Sequence, residues 1–219
     1  MVEQVKEIDP ERVRANLSEI RERISAADPS GQGGAGIEVV AATKYVPVEL
    51  MGTLAEGGVT VAGENRIQDL TAKQERWGDL FTWDFIGDLQ SRKAPSLVGK
   101  VRLIQSLATE SALLKLERAE AVQQKVLVQV NLAQEESKSG IAVEDLARYL
   151  DSEGCDVVGL MTMPPFTADA EESRPWFAKL RDLADKNGLE IVSMGTSQDY
   201  EVAVSEGATH VRIGASLCR

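Results

Sequence analysis

Lys44 closes the run Ile37-Glu38-Val39-Val40-Ala41-Ala42-Thr43, which is apolar enough to be a strand buried on both faces. A lysine at the end of such a strand is drawn partly out of water, which favours the free amine over the ammonium. A free amine attacks an aldehyde to give a Schiff base. The same position equally suits an ordinary lysine whose charge reaches back to solvent. Two glycine-containing turns lie near the other end of the chain: Met194-Gly195-Thr196-Ser197 and Arg212-Ile213-Gly214-Ala215-Ser216. Glycine lets a backbone approach anionic oxygens closely, and a helix start beyond it offers unpaired N–H groups. Ser197 either adds a hydroxyl to such a site or caps a helix over 198–205. As a pair the turns point to a bound phosphate. Arg212 is the one strong charge at the end of its run, and reads as a structural ion-pair partner or as a donor to a ring nitrogen. Asn65, in Gly63-Glu64-Asn65, reads as a polar contact or a helix cap. Gln129 and Asn131 either face a pocket or satisfy nearby backbone. His210, the only histidine, faces away from Arg212 or into the layer behind the strand on this reading, and receives no catalytic role. No residue is assigned as a catalytic group or a metal ligand.

The elements that must position these residues follow from periodicity. Val13, Leu17, Ile20 and Ile24 form one helical stripe, with Asp9 as cap and Pro10 in the first turn. A glycine-rich connector covers 30–36. Short β-rich runs then alternate with amphipathic stretches: strands are expected over 37–42, 59–62, 82–86, 101–104, 125–130, 156–161, 190–193 and 210–213. Helices are expected at 112–121, 143–150 and 176–185. Eight strands, each but the last followed by a helix, predict an α/β fold. We expect a single (β/α)8 TIM barrel with an extra N-terminal helix, one domain over 1–219. Functional residues should then sit just beyond the strands, at the C-terminal face.

Composition narrows the partners. Against 35 acidic residues the chain has 24 Lys and Arg, a net charge of −11, which disfavours nucleic acid and anionic membrane. Cys155 and Cys218 offer neither metal spacing nor a disulfide framework. The first ten residues lack the basic start and apolar core of a signal peptide, and no apolar run reaches the ~20 residues of a membrane span. A cytoplasmic protein is expected.

Several ordered motifs resemble one family. They are Ala42-Thr43-Lys44, Gly63-Glu64-Asn65, Trp83-Asp84-Phe85-Ile86-Gly87-Asp88-Leu89-Gln90-Ser91-Arg92-Lys93, Val130-Asn131 with Glu136-Ser137-Lys138-Ser139-Gly140, Gly159-Leu160-Met161, Ser193-Met194-Gly195-Thr196-Ser197 and Val211-Arg212-Ile213-Gly214. From about Arg12 to Ser216 the chain resembles the YggS/PROSC family of pyridoxal-phosphate homeostasis proteins. The resemblance implies the barrel of alanine racemase without that enzyme's second domain. It also implies pyridoxal 5′-phosphate (PLP) held as a Schiff base on Lys44. Ser197, Gly214 and Ala215 would hold the phosphate, Arg212 would meet the pyridine nitrogen, and Asn65 would touch the ring. The implied role is that of a monomeric PLP carrier that serves PLP-dependent apoenzymes, without an established reaction.

The chain departs from the family pattern at four places. Asp84 and Gln105 stand where histidines are usual, Arg92 replaces an asparagine, and Ala215 replaces a threonine. These departures read as drift or as a mouth rebuilt in an engineered variant. On the second reading, Lys44 is a Schiff-base nucleophile toward a carbonyl substrate, with Asp84 as general base. If strand three ends in the mouth, Asp84 lies near Lys44 or pairs with Arg92 or Lys93 at the rim. A racemase or decarboxylase is a third reading, but the barrel leaves no chain for a domain that would supply a second base.

Overall fold

The computed structural model describes residues 5–119, 123–135 and 139–218. Eight parallel strands close in sequence order: β1 (Glu38–Ala42), β2 (Val61–Glu64), β3 (Thr82–Phe85), β4 (Leu103–Leu107), β5 (Gln124–Gln129), β6 (Cys155–Met161), β7 (Ile191–Thr196) and β8 (His210–Ile213). Closure is made by β1 against β8, with Val40 opposite Arg212 and Glu38 opposite His210. The expected (β/α)8 TIM barrel is the fold observed.

The N-terminal helix α1 (Pro10–Ala27) forms as its stripe predicts, burying Val13, Leu17, Ile20 and Ile24. Asp9 accepts from the Glu11 amide at 3.0 Å and Pro10 leads the first turn. Around the wall follow α2 (Met51–Glu56), α3 (Ile67–Trp77), α4 (Glu110–Glu117), α5 (Leu146–Leu150), α6 (Arg174–Lys186) and α7 (Tyr200–Ser205). Among the described residues β8 is followed by a 3-10 turn, Ala215–Leu217. Helix α1 packs on α7, on α2 and on that turn, and so fills the place of an eighth barrel helix. The extra helix is therefore part of the wall.

Strand ends differ from the sequence reading in an informative way. β2 runs on through Glu64, β4 spans Leu103–Leu107 in place of 101–104, and β7 reaches Thr196. Glu64, Gln105 and Ser106 are polar yet buried inside these strands. A strand covered on both faces does not announce its end with polarity. The helix expected over 198–205 begins only at Tyr200, and the helix expected over 112–121 runs instead from Glu110 to Glu117, with residues 120–121 outside those described.

Because α1 seals the wall, Ile24→Ala should lower unfolding free energy by about 2–5 kcal/mol, the usual cost of such a truncation in a core. A denaturant titration measures it. A loss below about 0.5 kcal/mol, the scale of surface changes, would show that α1 is dispensable to the barrel.

Candidate functional site

The C-terminal ends of β1 and β2 are tied together under Lys44. The Thr43 amide donates to Gly63 O at 3.0 Å, and its carbonyl accepts from Val46 N at 2.8 Å, turning the chain at Lys44. Thr43 Oγ1 donates to Glu64 Oε1 at 2.5 Å, while Glu64 Oε2 accepts from the Asn65 amide at 3.2 Å. Lys73, on α3, donates from Nζ to Thr43 O at 2.9 Å and forms an ion pair with Glu64. Both charges are buried. Every polar partner of this cluster is thus another member of it, which a buried pair requires if it is not to be destabilising.

Lys44 itself is exposed, with Nζ 4.8 Å from the centre of the Tyr45 ring. The partial burial expected at this position is absent. Asn65 begins the loop after β2, and its Oδ1 is buried with no partner among the described residues. It lines a cavity of about 350 Å³ with Arg66, Gln68, Asp88 and Lys93. A Cβ on Gly87 would lie 2.0 Å from Asn65 O, so only glycine lets the two loops pass.

At the ends of β7 and β8, the latter beside β1, Ser197 Oγ accepts from the Gly214 amide at 3.2 Å and from Ser216 Oγ at 3.0 Å. Ser197 caps no helix: Asp199 stands at the start of α7 and binds Thr196 N at 2.7 Å and Thr196 Oγ1 at 3.0 Å. Gly214 has a φ of −107°, and a Cβ there would meet only Ala42, at 3.8 Å or beyond. A Cβ at this position would crowd nothing. The same proximity to Ala42 sets the β8 loop, with Gly214 and Ala215, two residues from Lys44.

Arg212 lies inside the barrel. Nη1 donates to Ser193 Oγ at 2.5 Å, and Nη2 donates to Thr162 O at 3.0 Å and toward Met163 Sδ at 3.0 Å. Among the described residues no carboxylate forms an ion pair with it, and burial pulls its pKa down to about 10. It still carries its charge at neutral pH. Arg212 borders a cavity of about 320 Å³ shaped by Met163, Pro164, Phe166, Thr196 and Asp199.

Beneath Arg212 runs a line of side chains that the sequence did not reveal. Ser193 Oγ donates to Gln105 Oε1 at 2.7 Å, and Gln105 Nε2 donates to Asp84 Oδ2 at 2.7 Å. Arg102 grips Asp84 with Nε at 2.9 Å and Nη2 at 2.7 Å, and also pairs with Glu38. His210 Nε2 lies 3.1 Å from Glu38 Oε2. Asp84 is therefore neither in the mouth near Lys44 nor paired with Arg92 or Lys93, both of which are exposed. Burial pushes its carboxyl up, against the pull of Arg102. His210 shares the interior face with Arg212, as residues two apart on a strand must.

The mouth thus gathers Ser197, Gly214 and Ala215 beside the β1 end that carries Lys44, while Glu64 ties Thr43 to the Asn65 amide on the next strand. Gln129 and Asn131 serve backbone, donating to Ser139 O and Glu135 O at 2.8 Å each. Motif residues 136–138 lie outside the described set. Lys73 was missed, although a lysine between Leu70 and Trp77 in the stripe of α3 is a legible sign of a buried ion pair.

Comparison with known proteins adds independent findings. The family model for the alanine racemase N-terminal domain matches residues 8–218. A pyridoxal phosphate homeostasis protein of Aquifex aeolicus is 39% identical, over 92% of this chain and 95% of its own. One of Pseudomonas aeruginosa is 34% identical, over 94% of each. The structure of PipY from Synechococcus elongatus with PLP bound superposes with a TM-score of 0.80 at 28% identity, covering 94% of this chain and all of that one.

The ion pairs at the base of the line give a pH test. Hydrogen bonding from His210, with help from Arg102, outweighs partial burial and holds the Glu38 carboxyl at about 2, against an ordinary 4.5. A depressed carboxyl contributes stability that is present above its unfolded value and lost as pH falls toward its folded one. Glu38→Gln should therefore be less stable than the parent at pH 7, with the gap closing between about pH 4.5 and 2. Denaturant midpoints at pH 7 and pH 3 measure it; a gap that ignores pH would refute the ion-pair account.

Proposed function

This chain belongs to the alanine racemase N-terminal domain family, and from that premise we propose that it is a PLP-binding homeostasis protein. It carries the cofactor as a Schiff base on Lys44, acts as a monomer with a single barrel domain, and hands PLP to dependent apoenzymes in the cytoplasm. Among the described residues no helix is long and apolar enough to cross a membrane.

One observation carries the reading. Among the described residues Arg212 is a buried guanidinium in no direct ion pair, with the Asp199 carboxylate acting on it only from across the neighbouring cavity, and it stands at the end of the strand that leads into the Ser197–Gly214 cradle. A buried cation held in no ion pair is costly unless something electron-rich completes its surroundings. The glycine that the protein's own packing does not need, and the unpartnered Asn65 Oδ1, are two further vacancies in polar or steric demand around the same mouth. These residues fit a flat, phosphorylated heteroaromatic aldehyde.

Bound there, the cofactor supplies an aldehyde and a ring capable of accepting electrons. The chain's residues do the rest. Lys44 adds its amine to the aldehyde carbon, forming the carbon–nitrogen bond and releasing the carbonyl oxygen as water. Its exposure leaves it free to swing from the Tyr45 ring to the mouth, and the Glu64–Lys73 pair fixes the turn from which it swings. Ser197, Gly214 and Ala215 hold the phosphate, Arg212 donates to the ring nitrogen, and Asn65 contacts the ring. The alternative, a carbonyl-processing enzyme with Asp84 as base, loses its base: both Asp84 oxygens are occupied by Arg102 and Gln105 below the mouth.

Lys44→Ala should abolish borohydride-trapped pyridoxyl adduct while leaving the unfolding midpoint nearly unchanged, because an exposed side chain leaves no cavity. Peptide mass spectrometry locates the adduct, and finding it on Lys73 or Lys93 instead would overturn the assignment. Gly214→Val should lose more PLP on dialysis than Ser197→Ala, whose hydroxyl bond to an anion is worth about 1.5–3 kcal/mol. Parent-like retention by Gly214→Val would place the phosphate elsewhere.

A further inference from the structure

Residues 84 and 105, the two departures that stand where histidines are usual, touch each other: Gln105 Nε2 is 2.7 Å from Asp84 Oδ2. They form one unit, and its internal logic fixes every hydrogen between Asp84 and Arg212. Asp84, clasped by two N–H groups of Arg102, can only accept. It therefore takes the NH2 end of the Gln105 amide, which turns Oε1 toward Ser193. Ser193 must then give its hydroxyl hydrogen to Gln105, at 2.7 Å, and its oxygen faces Arg212 Nη1 as an acceptor, at 2.5 Å. All four of Asp84, Gln105, Ser193 and Arg212 are buried, so no water competes for these bonds.

The guanidinium has five N–H donors. Ser193, Thr162 O and Met163 Sδ engage Nη1 and Nη2, and these three contacts leave two donors over, one of them Nε–H. These contacts hold Nη1 and Nη2, and Arg212 borders the cavity lined by Met163, Thr196 and Asp199, where a ligand could meet the remaining donors.

We propose that Gln105, oriented by Asp84 and acting through Ser193, is a positioning residue that aims Arg212 so that the site reads the ring nitrogen of its ligand. This inference rests on the PLP-binding reading and goes beyond it by naming what gives the site its preference for a pyridine over a benzene ring. Neutral histidine carries one donor and one acceptor about as far apart as the two ends of a glutamine amide. It can replace Gln105 without reversing the line. Leucine fills a similar volume but neither donates to Asp84 nor accepts from Ser193, so the Ser193 hydroxyl is freed to turn and the guanidinium loses its fixed neighbour.

The test uses the full-length protein and two probes without an aldehyde, so that Lys44 chemistry does not enter. These are pyridoxine 5′-phosphate and its analogue with the ring nitrogen replaced by C–H, titrated by calorimetry. The parent should prefer the nitrogen-containing probe by about tenfold or more, the scale of a hydrogen bond to a charged donor. Gln105→Leu and Ser193→Ala should lose most of that preference while binding the C–H analogue as the parent does, and Gln105→His should restore it. A general loss of stability would weaken both probes alike and would not be rescued by histidine. Equal weakening of both probes, or an undiminished preference in Gln105→Leu and Ser193→Ala, overturns the proposal. Ser193→Ala removes only one oxygen and decides the matter if Gln105→Leu does not fold. The PLP reading fails separately, if PLP itself leaves no adduct on Lys44 of the parent.

Discussion

A guanidinium inside a closed parallel barrel sets the terms for much of this structure. Arg212 cannot reach solvent, and its direct partners are a hydroxyl, a carbonyl and a thioether. The line of side chains runs three hydrogen bonds from it to the carboxylate of Asp84. Burial pushes that carboxyl up, and Arg102 pulls the other way. Arg102 is a second cation entering the same barrel, and Glu38 answers it, with His210 completing the set at the lower end. The alternation of sign, from arginine to aspartate to arginine to glutamate, follows from placing the first charge where water cannot screen it.

The wall around this polar axis is apolar and is closed by an element from the other end of the chain. Among the described residues a 3-10 turn follows β8, and the buried stripe of α1 packs on that turn, on α7 and on α2. The mouth has its own buried charge pair, Glu64 with Lys73, which differs in purpose from the axis. It touches the backbone of Thr43 and Asn65 and so fixes where two loops leave the barrel.

Much of this was readable from residue order. The apolar stripe of α1, its cap and the eight alternating runs led to the barrel, because each is a local pattern with a local cause. Ser197, Gly214 and Arg212 were legible as a group because they lie after adjacent strands. Asp84 was misplaced. A polar residue near the end of a strand run suggests a loop, and the sequence of β3 says nothing about Arg102 waiting on the next strand. Nor could Gln105 be joined to Asp84 and Ser193 by reading, since the three come from β3, β4 and β7 and meet only because the barrel closes. The expected burial of Lys44 failed for a related reason: the strand stops at Ala42, and the turn through Val46 carries the lysine outward.

The axis also bears on how reactive a PLP ring would be in the proposed site. Catalysis by a pyridine ring depends on the ring drawing electrons, and this is strongest when its nitrogen is protonated. A guanidinium facing that nitrogen, as proposed for Arg212, has only hydrogens to offer, so the nitrogen would keep its lone pair and the ring would stay a weak electron sink. The residues behind Arg212 do not relieve this. An amide and a second guanidinium interrupt the line, and neither gives up a proton at ordinary pH, so no proton can travel from His210 and Glu38 to the mouth. The interior fixes charge without moving it. Placed against the proposed ligand, such a site retains the ring and its phosphate while damping the reactivity that a free aldehyde and an activated pyridine would otherwise bring to a cell's amines.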